Sequence, residues 1–143
     1  FYDASMNENL KEMKPDYILD CIDSIDSKKD LILFALDNDI PIISSMGMAR
    51  KKDPGQISVM ELEKTSYDPI AKILRVWKRK NKSRKKIQVV SSTEPPVDME
   101  KGSVLPSAVF VPATAGLAMA NKAVLDLVKN AENQQSKDCS EKE

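Results

Sequence analysis

Asp20, Asp23, Asp26 and Asp30 crowd into one stretch, "YILDCIDSIDSKKDLILFAL" (17–36), directly after an apolar run. Like charges this close repel unless a cation or a helix terminus offsets them. Two chemistries suit such a set. A carboxylate at a strand end, beside a helix N-terminus, can hold Mg2+ and through it steady a nucleotide phosphate. Acids in a first helical turn can instead act only as caps and partners of the helix dipole. Asp26 and Asp30 fit capping or solvation. For Asp20 and Asp23 both roles stay open.

The opposite charge gathers in two places. "RKK", Arg50, Lys51 and Lys52, lies in a loop that can face the same mouth and attract phosphate. Its plainer reading is a solvated loop. "KRKNKSRKK" (78–86) supplies Lys78, Arg79, Lys80, Arg84, Lys85 and Lys86, a pattern suited to a nucleic-acid backbone or to a solvated helix end. Nine of the 22 Lys and Arg residues fall between Lys72 and Lys86, and no acid occurs from Pro69 to Thr93, although the net charge is zero. That asymmetry favours a local anionic contact over global attraction. Trp77 completes a helical apolar stripe and reads as core rather than as a base-stacking platform.

Histidine is absent, which removes Ser-His-Asp triads and His-paired cysteines from consideration. Two cysteines, Cys21 and Cys139, form no CxxC clip, so no protein zinc site is expected and a reducing compartment suits the chain. With aliphatic neighbours and no activating base, Cys21 is expected to be a buried thiol. The 18 uncharged residues from Val104 to Asn121 approach spanning length. Prolines and small residues dilute them, and a buried helix is expected instead of membrane insertion.

These residues need a scaffold, and the 143 residues suffice for one domain with its own core. A polar lead-in (1–14) precedes "PDYILDCI", a buried-strand signature. Ser24 can cap a helix running to about Leu36, and "PIISSM" (41–46) reads as the next strand. Strand, helix and strand within thirty residues predict a right-handed βαβ unit and a parallel sheet. "QISVMEL" (56–62) suits a more exposed strand. "DPIAKILRVWKRK" (68–80) predicts a helix opened by Asp68 and Pro69, and "KIQVVSS" (86–92) a further strand. "TEPPVDMEKGS" reads as a long mobile loop, 107–130 as the last helix, and 130–143 as a disordered polar tail. The domain thus spans 15–129.

Four stretches together resemble the second half of the MoeB/ThiF-like activating-enzyme fold, and within it the tRNA threonylcarbamoyladenosine dehydratases. They are "YILDCIDSIDSKKDLI" (17–32), the run 40–80 containing "DPGQISVMELEKTSYDPIAKILR", "VVSSTEPP" (89–96) and "GSVLPSAVFVPATAGLAMANKAV" (102–124). The "DPxxISVxxLxKTxxDPIAKxLR" run is the specific part, with Asp53, Pro54, Asp68, Pro69, Lys72 and Arg75 falling on the family pattern.

The resemblance implies an α/β chain that forms the C-terminal part of a Rossmann-like mixed sheet with flanking helices. It implies an ATP- and Mg2+-dependent reaction on tRNA, in which a carboxylate is adenylated and a ring then closes with loss of AMP. Carried over by position, Asp23 is the metal- and phosphate-organising carboxylate, flanked by Ser24 and followed by Lys28 as cofactor-binding residues. A homodimer is implied, in the cytoplasm or associated with mitochondria in a eukaryote. The chain has no GxGxxG among its glycines at 47, 55, 102 and 116, and it begins at Phe1. The expectation is either a C-terminal piece of a longer enzyme or a degenerate relative. Alternatives are a non-catalytic RNA-binding or dimer-partner module, and an activator of a ubiquitin-like or sulfur-carrier protein.

Overall fold

Short runs of β-branched residues form the strands, and each run is buried in proportion to its place in the sheet. The computed structural model describes residues 2–98 and 106–140, with side chains as far as 136. Strands β1 (Ile18–Asp20), β2 (Ile42–Ser45), β3 (Ile57–Glu61) and β4 (Gln88–Ser92) lie in the order β1-β2-β4-β3. β1, β2 and β4 run parallel, and β3 pairs antiparallel with β4. The sheet is therefore mixed, as the resemblance implied.

The two central strands are covered on both faces, which explains their near-continuous apolar sequences. Ile42 of β2 and Val89 of β4 enter one core cluster, while their neighbours Ile43 and Val90 enter the other. The first cluster includes Leu31, Ile32, Phe34 and Ala35 of α2 (Ile25–Asp37) and Ala71 and Leu74 of α3 (Pro69–Lys80). The second includes Ala115 and Met119 of α4 (Phe110–Ser140). Edge strand β3 is only half-buried, in keeping with its alternating sequence. A short helix, α1 (Asn7–Met13), occupies the polar lead-in.

α3 matches its sequence signals closely. Asp68 is the N-cap and accepts a hydrogen bond from the Ala71 N–H at 2.7 Å, and Pro69 follows in the first turn. Ser24 takes the N-cap position of α2, but its hydroxyl makes no cap hydrogen bond.

α4 departs from expectation. Pro112 sits in its first turn, where a missing N–H costs nothing. Val111, Ala115, Met119 and Ala123, one per turn, are buried against the sheet. The helix then continues past Asn130 to Ser140, where a disordered tail was expected. Polarity suggested disorder, yet residues 117–140 contain neither Gly nor Pro and are rich in Ala, Leu, Lys and Gln, which favour helix. The turns from Val124 to Lys129 already lie mostly in solvent. No helix of the described residues is long and apolar enough to cross a membrane. Residues 99–105, which include the end of the expected mobile loop (93–103), and the side chain of Cys139 lie outside the described residues.

Candidate functional site

At the carboxyl ends of β1 and β2 the sheet holds a buried polar trio. Asp20, Lys28 and Ser44 are all fully buried. The Lys28 ammonium donates to Asp20 Oδ2 at 2.7 Å, to Ser44 Oγ at 3.1 Å and to the Ser45 carbonyl at 3.0 Å. Its three donors meet three acceptors, so the charge is compensated. Ser44 also donates to Asp20 Oδ2, and Asp20 Oδ1 accepts from the Ile22 N–H at 2.9 Å. Lys28, expected among the cofactor-binding residues, is thus a structural cation that ties α2 to two strands. Neither does Asp20 reach solvent; it fixes the turn that leads to Asp23.

Asp23 emerges from that turn three residues beyond β1 and is exposed. It borders a cavity of about 340 Å³ shared with Gly47, Arg50, Lys51, Tyr67 and Asp68. The position, outside the carboxyl ends of parallel strands, is where open α/β sheets bind ligands. Asp23 and Ser24 also border a shallower hollow of about 490 Å³ beside Tyr2. Another hollow, about 320 Å³ between α1 and α2, meets no strand end.

Two buried carboxylates hold the cavity walls. Asp68, while capping α3 through Oδ1, accepts from the Gly47 N–H through Oδ2 at 2.8 Å. One side chain therefore joins the loop after β2 to the start of α3. Gly47 allows this approach, since a Cβ there would lie 3.2 Å from Asp68 Oδ2. Behind the lining residue Lys51, Glu94 Oε2 accepts from the Lys52 and Asp53 N–H groups, both at 3.0 Å. Those two bonds hold the Glu94 carboxyl below the usual glutamate range.

Lys51 is buried in this wall, its ammonium donating to the Glu94 carbonyl. Burial pushes its pKa below the ordinary lysine value, while the charges of Asp68 and Glu94 oppose that fall. The expectation of Lys51 as a surface RNA contact is corrected: it is a desolvated cation lining the same cavity as Asp23. Arg50 adopts a left-handed backbone (φ 62°) and donates through Nε to the Val97 carbonyl at 2.7 Å. Lys52 stays exposed. Tyr67, with φ 53° and a side chain 59% exposed, stands at the lip.

The basic run divides. Lys78 is buried and paired with Glu63, so it too is corrected from an RNA contact to a structural ion pair. Lys85 and Lys86 remain exposed but pair with Asp39 and Glu61, each at 2.7 Å. Arg79, Lys80 and Arg84 are exposed and make no ion pair among the described residues. Cys21, expected buried, is exposed, with its Sγ 3.9 Å from Met119 Sδ.

The residues that sequence reasoning missed are Asp68, Glu94 and Tyr67. Asp68 carried a signal, since an acid before Pro at a helix start is a capping pattern, but its second bond to Gly47 spans 21 residues. Glu94 lies in the "VVSSTEPP" stretch, yet neither it nor Tyr67 carried a signal for a role of its own.

Mg2+ can be tested against this donor set. No group of three or more metal-holding side chains occurs among the described residues. An ion here would take one protein oxygen, from Asp23, and complete its shell with phosphate and water. Mg2+ commonly binds in that manner, so the residues fit.

No family model matches the chain. Among curated proteins it is similar to the tRNA threonylcarbamoyladenosine dehydratase of Bacillus subtilis, 36% identical over 96% of this chain and 61% of the relative. It is also similar to tRNA threonylcarbamoyladenosine dehydratase 2 of Saccharomyces cerevisiae, 45% identical over 64% of this chain and 20% of that protein. Two solved structures of E. coli tRNA N6-threonylcarbamoyladenosine dehydratase, TcdA, superpose well. The complex with AMP gives a TM-score of 0.83 at 29% identity, over 93% of this chain and 56% of that one. The complex with ATP gives 0.81 at 30% identity, over 94% and 56%. The chain thus spans about three-fifths of the length of the Bacillus relative it matches.

Proposed function

The chain is homologous to the tRNA threonylcarbamoyladenosine dehydratases, and from that premise we propose that the protein dehydrates N6-threonylcarbamoyladenosine in tRNA, consuming ATP. In this reading the chain is the C-terminal part of the enzyme and contributes one wall of the nucleotide crevice. The carboxylate of the modified base is activated by adenylation, pyrophosphate leaves, and the carbamoyl group attacks the acyl carbon internally and gives up a proton. AMP departs with one carboxylate oxygen, which closes the ring with net loss of water.

The observation that carries this reading is the cavity that Asp23 shares with the buried cation Lys51 beyond the strand ends. Asp23 would hold Mg2+, which supplies charge neutralisation at phosphate when bound. Lys51 offers a desolvated positive charge to the same anionic groups, and low local polarity strengthens that attraction. Asp68 and Glu94 keep the surrounding loops in place. The exposed residues Lys52, Arg79, Lys80 and Arg84 would meet the tRNA backbone, with Arg50 at the cavity rim and Lys85 and Lys86 reinforcing the field. Two copies would pair as a homodimer.

The test is AMP release by the full-length protein on tRNA carrying the modified base. Release that depends on that base is expected, and Asp23→Ala should lower kcat about 100-fold, the typical loss for one oriented electrostatic group. An absence of AMP formation overturns the activity, and an unchanged rate in Asp23→Ala overturns its role.

A second reading draws on the exposed cations Arg79, Lys80 and Arg84, which have no ion-pair partner among the described residues. As a non-catalytic RNA-binding module, the protein would bind tRNA in calorimetry and show no heat with Mg·ATP.

A further inference from the structure

α3 borders a second hollow, which shares Pro69 with the cavity of Asp23 and is otherwise lined by different residues. It measures about 510 Å³ and is lined by Pro69, Lys72, Ile73, Val76, Trp77 and Lys80 of α3, with Lys29 of α2 opposite. The α3 positions recur at three- and four-residue spacing, so they form one stripe about 16 Å long. Ile73 and Val76 are 40% and 38% exposed, which is high for a stripe that includes aliphatic side chains. Trp77 packs one side against the core cluster and turns the other to the groove. Among the described residues its indole Nε1–H donates to no protein acceptor.

The rim is cationic. Lys72 and Lys80 are exposed and have no ion-pair partner among the described residues. Lys29 contacts Asp26 at 2.9 Å, and that aspartate is 91% exposed. Beyond Lys80, Arg79, Lys82 and Arg84 continue the positive field, and no acid interrupts residues 69–93. An aromatic face set between lysines matches the stacking platforms with electrostatic walls that hold single-stranded nucleic acid. An acidic peptide would satisfy the lysines but leave the indole without a flat partner.

We infer that the groove between α3 and Lys29 binds a single-stranded RNA segment, with a base stacked on Trp77 and phosphates on Lys29, Lys72 and Lys80. This places a contact for the RNA partner of the proposed reaction away from the cavity of Asp23, and in that respect it rests on that reading. It needs no nucleotide and no modified base, so the two can fail separately.

Trp77 is the only tryptophan of these 143 residues, and its indole borders the groove, so its fluorescence responds to an occupant there. The experiment titrates the full-length protein, without ATP, with an oligouridylate about ten nucleotides long, and takes the groove signal as the part of the fluorescence change lost in Trp77→Phe. The expected results are quenching of Trp77 and a log K against log salt slope of about −2, for three phosphate contacts. Lys29→Gln with Lys72→Gln should weaken binding about tenfold and flatten the slope, while circular dichroism stays unchanged. Trp77→Phe, which keeps an aromatic filler on the core side, should weaken binding severalfold. Absence of RNA binding, binding without quenching, or equal quenching by polyglutamate of the same charge would each overturn the inference. ATP-dependent AMP release unaffected by Lys29→Gln and Lys72→Gln, alongside unquenched binding, would leave the proposed reaction standing and remove only this groove.

Discussion

The Lys28 ammonium lies 2.7 Å from the Asp20 carboxylate, and neither group touches solvent. A pair so placed costs desolvation on both sides, and losing one member strands the other. Lys28→Met should therefore lower stability by about 3–5 kcal/mol. Adding Asp20→Leu should recover much of the loss, because no lone charge then remains. Urea midpoints of the two variants check this; equal destabilisation in both would contradict it.

Asp68 has two separate tasks, and one substitution ends both. Asp68→Ala should cost about 1–2 kcal/mol through the lost helix cap. Hydrogen exchange should accelerate at the Ala71 and Gly47 amides, whose acceptor oxygens it removes. Protection retained at Gly47 would show that another group holds the loop.

Glu94 gives the fold a defined acid dependence. Its folded pKa is depressed by the Asp53 and Lys52 N–H groups, so its stabilisation is complete above the unfolded value of about 4.3. It is lost as pH falls through the lower, folded value. Wild type and Glu94→Gln should differ in denaturation midpoint at pH 7, and the gap should narrow near pH 3. A gap independent of pH would refute the assignment.

At the other end of the scale, burial raises the Tyr17 phenol, assisted by its 3.0 Å hydrogen bond to Asp126. The folded state keeps this proton longer than the unfolded state does. Stability should then decline as pH rises beyond about 10, where the unfolded tyrosine ionises. Tyr17→Phe should lose about 1 kcal/mol at neutral pH. It should also decline less steeply in alkali, as thermal melts across pH 8–11 would reveal.

Much of the scaffold was legible because its signals are local. Asp68 and Pro69 mark the start of α3, and the spacing of Ile70, Leu74 and Trp77 marks its buried side. Apolar runs at 17–20 and 41–46 flanking a helical pattern sufficed for the parallel unit. Side-chain fates were harder to read, because their partners lie far along the chain. Lys28 meets a strand 16 residues on, and Lys78 and Lys85 meet acids 15 and 46 residues away. Without those partners in view, a lysine that neutralises a neighbour looks the same as one offered to a ligand. The end of α4 was misjudged for another reason: polar composition denotes lack of a core, and a helix that projects into water needs none.

α4 touches all four strands, and Tyr17 and Asp126 bridge 109 residues of sequence. During vectorial synthesis β1 leaves the ribosome early, while the helix that shields one side of its sheet leaves late. Until then Ile43 and Val90 have no cover on that side. A nascent chain stalled near residue 105 should bind a hydrophobic dye and attract chaperones, and one stalled well past 140 should not.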